Sequence, residues 1–295
     1  MLGAQPDAQI GLVGLGLVGS ALARRLRGAG YRVHGYDKRN EANVEADKLG
    51  VAVASDVSQI ARENKLIVLS LLTSEDRRAL LWGEQSMASA LQPDTTILDT
   101  TTGRPDDIVE DSVRLAGQGV RLVDVCLSGS SQVVEEGRAL ALVGDSEGNA
   151  LYADVLRAIS KRQYFIGGPG QGNRMKLIVN LVFGLHRAVL AEALGLAARG
   201  GFDLDQTLDI LKEGETYSVA MHTKGPRMIS RTYTPAVARL AQHAKDVDLI
   251  LEYGRSIGAP TPLSLSHQVL LHRLVEAGFG DLDNAAIFEA YAVDA

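Results

Sequence analysis

The chain has 295 residues, 46% hydrophobic and 22% charged, which is material for two domains and excludes a long disordered tract or a fibrous repeat. Its 30 Lys and Arg against 36 Asp and Glu leave a net charge of −6, the wrong balance for gripping nucleic-acid phosphates or an anionic membrane surface. The lone cysteine, Cys126, cannot close an intrachain disulfide, and no secretory leader is read at the start, so a cytoplasmic protein is expected.

In chain order, short β-rich runs alternate with helical periods up to about residue 166, the pattern of a parallel sheet wrapped by helices. Strands are predicted over 9–13, 32–36, 66–71, 96–98, 121–125, 139–143 and 163–166. The first runs into Gly14-Leu15-Gly16-Leu17-Val18-Gly19, which opens a helix over 18–27. Glycines in that position allow a tight turn and a close backbone approach to a pyrophosphate, which the first N–H groups of the helix can then bind. Asp37 ends the second strand eighteen residues after Gly19, where an acid meets the adenosine ribose hydroxyls. An acid there repels a 2′-phosphate, so NAD is the first choice; Lys38 and Arg39 directly after it keep NADP open. Leu72, just past the third strand, joins the residues expected to touch the cofactor.

Past the fifth strand, the segment Asp124-Val125-Cys126-Leu127-Ser128-Gly129-Ser130 offers hydroxyls and consecutive N–H groups able to hold a carboxylate. After Gly170 the strand-like runs stop. Gly170-x-Gly172 leads into a helix expected over 173–198, in which Lys176 and Asn180 share one face at i, i+4 spacing. Further helices are expected over 204–212, 235–256 and 263–277, the second carrying Lys245-Asp246. No apolar run is expected to span a bilayer, since each is cut by Gly, Lys or Asn. The six histidines form no i, i+4 pair and have no Cys partner, so no metal is expected.

These clusters, together with Asp99-Thr100-Thr101-Thr102, Pro105 and the closing Gly278-Phe279-Gly280-Asp281 with Asp283, resemble the β-hydroxyacid dehydrogenase family from about Ile10 to the C-terminus. The resemblance implies an α/β fold: an N-terminal Rossmann domain with a doubly wound, mostly parallel sheet (1–169), then an all-α substrate and dimerisation domain (170–295) entered by a long helix. It implies Lys176 as the catalytic lysine, Asn180 as a substrate-orienting amide, and Ser128, Gly129 and Ser130 as the substrate loop. Thr102 stands beside the nicotinamide, Lys245 meets the cofactor, and Asp246 supports the site. It also implies a homodimer or homotetramer.

The expected activity is therefore an NAD(P)-dependent oxidation of a small 3-hydroxy acid to its semialdehyde or keto form, or the reverse, with Lys176 as general acid and base. Departures from the family pattern fall in the substrate loop, where Cys126, Leu127 and Ser130 replace the usual Pro, Val and Gly. Two alternatives stay open, an imine reductase-like enzyme and a non-catalytic dinucleotide-binding redox sensor. A Tyr-x-x-x-Lys dehydrogenase is excluded, for no tyrosine has a lysine four residues later.

Overall fold

The structure, a computed structural model, describes residues 8–84, 86–146 and 148–291; the outermost residues of the two expected domains, 1–7 and 292–295, lie outside it. The chain divides into two compact units, Met1–Lys176 and Leu177–Ala295.

The first unit is an eight-stranded sheet in the order β3-β2-β1-β4-β5-β6-β7-β8. Its strands are β1 (Gln9–Val13), β2 (Arg32–Tyr36), β3 (Ala52–Val53), β4 (Leu66–Leu69), β5 (Thr96–Asp99), β6 (Arg121–Ser128), β7 (Leu140–Val143) and β8 (Arg162–Phe165). All neighbouring pairs are parallel except β6 with β7, which run antiparallel with Ser128 opposite Leu140 and Val125 opposite Val143. The connecting helices are α1 (Leu17–Gly28), α2 (Asn40–Lys48), α3 (Val57–Glu63), α4 (Ser74–Trp82), α5 (Pro105–Ala116), α6 (Ser131–Glu135) and α7 (Ala150–Ile159).

Strand side chains alternate between two faces, and both faces are covered. Leu12, Val68, Leu98 and Val123 meet Leu22 and Leu26 of α1 and Val155 and Ile159 of α7 in one core. Val13, Ile67, Leu69, Ile97 and Leu122 meet Ile60 of α3, Leu81 of α4 and Ile108 of α5 in the other. This double cover explains why the central strands read as unbroken apolar runs. Each such fully buried aliphatic side chain contributes about 1.5–3 kcal/mol.

The long helix α8 (Gln171–Arg199) begins in the first unit and continues into the second, which adds α9 (Leu204–Glu213), α10 (Val219–Ile229), α11 (Leu240–Ser256) and α12 (Pro262–Leu274). A short wound segment, Asn284–Ala290, supplies Ala285, Ala286, Ile287 and Phe288 to the core formed by Leu190, Ala191 and Leu194 of α8 with Leu240, Val247 and Leu271. By length and composition α8 is apolar enough to cross a membrane, contrary to the sequence expectation. Its apolar residues occupy more than one face: Leu190 and Leu194 enter the core while Val189 and Leu196 are exposed.

Two further differences have local causes. The helix expected from 235 starts only at Leu240, because Val237 and Ala238 donate their N–H groups to the Asp283 carboxylate. Helix α10 is not among the expected elements, and it holds Gly225-Pro226 within it. Gly225 is needed there, for a Cβ would stand 2.6 Å from the Leu208 side chain of α9.

Candidate active site

The turn after β1 uses its three glycines differently. Gly14 has φ of 91° and donates its N–H to the Tyr36 carbonyl at 2.9 Å, and a Cβ there would meet the Ser70 carbonyl oxygen at 2.2 Å. A Cβ on Gly19 would stand 1.9 Å from the Gly14 carbonyl oxygen. Both glycines therefore serve the packing of strand, turn and helix. Gly16 has room: the nearest atom its Cβ would meet is an Arg39 guanidinium nitrogen at 3.6 Å. It is also the N-cap of α1, and no side chain caps that helix. The backbone at Gly16 and the first N–H groups of α1 thus fit a dinucleotide pyrophosphate. Leu17 of this turn is exposed, as is Leu72 after β4, Val18 is half-buried, and Leu15 is buried with its N–H turned to Asp37.

Asp37 is held on every side. Its backbone is bracketed by the Asn43 amide, with both contacts at 2.8 Å. One carboxylate oxygen accepts from Leu15 N at 2.8 Å and an Arg39 guanidinium nitrogen at 2.9 Å; the other accepts from Arg39 N and Nε at 2.9 and 3.0 Å. Burial pushes the carboxyl up, but the Arg39 and Leu15 hydrogen bonds outweigh it and hold the pKa below the ordinary value. Lys38 instead reaches Asp76, at 3.0 Å, with its side chain 78% exposed. Arg39, rather than Lys38, is thus the cation at the acid, a pairing with no sequence signal beyond its adjacency.

The loop after β5 carries Thr102, half-buried, and is tied down around it. Thr101 N donates to Asp99 at 3.0 Å, Leu71 N to Thr101 Oγ1 at 3.2 Å, Gly103 N to Asn173 Oδ1 at 2.9 Å, and Arg104 N to Ser74 Oγ at 2.7 Å. Asp99 is fully buried and meets the equally buried Arg77 of α4 at 3.1 Å. Arg77 also binds Asp111 of α5 at 3.0 Å, and Trp82 Nε1 donates to the other Asp111 oxygen at 2.8 Å. The two aspartates keep the Arg77 guanidinium charged despite its burial.

Strand β6 leads to the loop expected to hold the substrate. Lys176, only 9% exposed, donates from Nζ to the Leu127 carbonyl at 2.8 Å, one residue before Ser128. Gly129 is exposed with φ of 153°, and a Cβ there would strike Val133 at 2.7 Å. The Ser130 hydroxyl caps α6 by accepting from Val133 N at 3.4 Å, which gives the unusual serine a structural partner. Cys126 is fully buried, its thiol 3.7 Å from the Thr101 carbonyl. The start of α8 is fixed by Asp124, whose carboxylate accepts from Gly170 N at 3.0 Å and Asn173 N at 2.8 Å, the two donors a local capping box would satisfy. Burial lifts the Asp124 carboxyl above its ordinary range, against those N–H bonds. The glycine pair explains itself here: a Cβ on Gly170 would meet the Pro105 carbonyl at 2.8 Å, and one on Gly172 the Leu142 carbonyl at 2.5 Å.

In the second unit, Asn180 Nδ2 donates to Asp246 at 2.9 Å, and Lys245 Nζ lies 3.0 Å from the other Asp246 oxygen. Asp246 therefore orients the Asn180 amide and leaves its Oδ1 and second N–H for other partners. Among the described residues no group of three or more His, Cys, Asp or Glu side chains is arranged to hold a metal ion.

Residues 9–168 match the family described as the NAD-binding domain of 6-phosphogluconate dehydrogenase, and residues 170–291 that described as the NAD-binding segment of NADP-dependent 3-hydroxyisobutyrate dehydrogenase. An L-threonate dehydrogenase of Cupriavidus necator is 30% identical over 96% of this chain and 95% of its own length. The chain belongs to the β-hydroxyacid dehydrogenase family. It is an NAD(P)-dependent oxidoreductase of that type. Glyoxylate/succinic semialdehyde reductase 1 of Arabidopsis thaliana is 26% identical, with 96% and 98% of the two chains covered. A solved 3-hydroxyisobutyrate dehydrogenase from Salmonella typhimurium superposes with a TM-score of 0.88 at 25% identity, covering 96% of this β-hydroxyacid dehydrogenase and 99% of that chain. An imine reductase from a Pseudomonas species shares the fold at a TM-score of 0.56 and 21% identity.

Proposed function

We propose that this enzyme interconverts a small 3-hydroxy acid and its semialdehyde or keto form, with Lys176 exchanging the hydroxyl proton. The observation that carries the reading is the buried Lys176 amine, donating to the Leu127 carbonyl beside Ser128 and Gly129. A nicotinamide dinucleotide, when bound, accepts or supplies the hydride. Lys176 takes the proton from the hydroxyl or returns it to the forming oxygen, the hydroxyl of Ser128 and backbone of Gly129 hold the acid group, and Asn180, one helical turn beyond Lys176, orients the substrate. Thr102 and Lys245, with Asp246 behind it, keep the cofactor and supporting roles that the resemblance gives them. The relatives' names, a threonate dehydrogenase and a semialdehyde reductase, support this substrate class. The substrate-loop departures no longer favour an imine, since Ser130 caps α6, and Cys126 and Leu127 are buried.

NAD remains the first choice because Asp37 directly follows β2. The four acceptor positions of its carboxylate are taken by Leu15 and Arg39, so a ribose hydroxyl can reach it only if Arg39 swings away. The same guanidinium, turned outward, suits the 2′-phosphate of NADP. A homo-oligomer, built on the exposed Val189, Leu196, Leu263 and Val269, and a cytoplasmic setting belong to the same proposal.

The test follows absorbance of the reduced nicotinamide with a panel of 3-hydroxy acids, aldonates and semialdehydes, each with NAD(H) and NADP(H). Lys176→Ala is expected to lower kcat about 10²–10⁴-fold while dinucleotide binding persists. Arg39→Ala is expected to raise KM for NADP(H) about tenfold and, by freeing the Asp37 carboxylate, to lower that for NAD(H). Turnover by Lys176→Ala within tenfold of wild type overturns the proposed proton transfer.

A further inference from the structure

Asn173 carries no role in the family resemblance, yet it is completely buried and its groups join the three segments on which the proposed chemistry depends. Its Oδ1 accepts the Gly103 N–H at 2.9 Å, and Gly103 directly follows Thr102. Its own N–H donates to Asp124 at 2.8 Å and its Nδ2 lies 3.4 Å from the same oxygen, four residues before Ser128 on β6. Along α8 it stands three residues ahead of Lys176. We propose that Asn173 is a positioning residue that sets the register between the Thr102 loop, strand β6 and the Lys176 turn of α8. The inference rests on the proposed role of Lys176.

The chemistry of the contact selects the residue type. Gly103 presents a buried donor and Asp124 a buried acceptor, so the bridging side chain must accept on one side and donate on the other; a short neutral amide does both. Aspartate would keep the acceptor for Gly103 and set a second carboxylate against Asp124. Glutamine adds a methylene where the position has no exposure, and alanine leaves the Gly103 N–H buried without its acceptor. The loop has little freedom to make up the loss on its own: a Cβ at Gly103 would meet Ser74 Oγ at 2.1 Å.

The proposal is tested with Asn173→Ala and Asn173→Asp beside wild type and Lys176→Ala, using three readouts. Amide hydrogen exchange at Gly103 is measured on the protein without ligand, and is expected to speed at least tenfold in Asn173→Ala but stay near wild type in Asn173→Asp. Dinucleotide Kd, read from the fluorescence of NADH or NADPH, is expected to stay within threefold in both. In turnover with the reduced dinucleotide deuterated at its transferable position, kcat is expected to fall tenfold or more in both variants and the isotope effect to rise, because hydride transfer becomes more limiting. Should Asn173→Ala fail to fold, Asn173→Asp alone carries the kinetic test. A kcat within twofold of wild type, or a loss with an unchanged isotope effect and a Kd weakened in proportion, overturns the positioning role. An active Lys176→Ala would instead overturn the proposed proton transfer, leaving the exchange result to stand on its own.

Discussion

In the first unit the buried ionic groups finish on backbone N–H groups of the loops that carry the candidate site: Asp99, backed by Arg77, takes Thr101 N, and Asp124 takes Gly170 N and Asn173 N. In the second unit the buried pair of Lys224 with Asp283, at 2.7 Å, finishes on scaffold. Asp283 also accepts from Val237, Ala238 and Ala285, so it fastens α10 to the approach of α11 and to the C-terminal wound segment. The contrast separates two uses of an expensive arrangement. Removing the Arg77 charge should disturb geometry and stability together, whereas removing that of Lys224 should reach stability alone.

The largest expected effects test that separation directly. Lys224→Met strands one buried carboxylate and Arg77→Met two, and both are expected to lower unfolding free energy by about 3–5 kcal/mol in urea titrations. Kinetics on the folded protein should then diverge, with kcat nearly unchanged in Lys224→Met and reduced several-fold in Arg77→Met. Equal kinetic behaviour of the two would break the comparison.

A somewhat smaller effect belongs to His267, which packs 5.2 Å from His243 near Gly184 of α8. Burial first, and the charge of Arg187 second, push its pKa down to about 4 from the ordinary 6.5. The unfolded chain then binds more protons than the folded one between those values, so the stabilisation is full above pH 6.5 and is lost as the pH falls toward 4. The difference reaches about 3 kcal/mol at the acid end. His267→Gln should flatten this limb in urea titrations at pH 7.5 and 5, and a limb as steep as wild type would remove His267 as its cause. The smallest effect concerns a proposed substrate residue in the second unit: Asp246→Asn weakens the hold on the Asn180 amide, and KM for the hydroxy acid is expected to rise about fivefold, as for loss of one hydrogen bond.

Legibility in the sequence followed the reach of each interaction. Gly14, Gly16, Gly19 and Asp37 lie within one strand-turn-helix-strand stretch, so spacing alone placed them, and the apolar strands announced both faces of the sheet. Strand β3 escaped because it is two residues long and both are exposed. Arg77, Asp111 and Asn173 escaped for another reason: each is a single polar residue on a helix, where a polar residue ordinarily marks the solvated face. Only the partner, 22 to 70 residues away in sequence, shows that it is buried. Ser130 left a weak trace, since a serine opening a short helix is an ordinary cap, yet its place in the substrate loop drew attention to ligand binding instead.

The reversal of β7 against β6 has an electrostatic consequence. Strand β8 runs parallel to β7 and ends with Phe165 opposite Val143, itself opposite Val125, so the chain leaves the sheet level with the middle of β6. Helix α8 therefore starts beside Asp124 and climbs in the direction of β6, bringing Lys176 to the Leu127 carbonyl. The positive end of its macrodipole is answered by the Asp124 carboxylate, whereas α1 begins at Gly16 with no side-chain cap. Of these two helix starts, one has its field neutralised from within the sheet. The other keeps its field for an incoming anion.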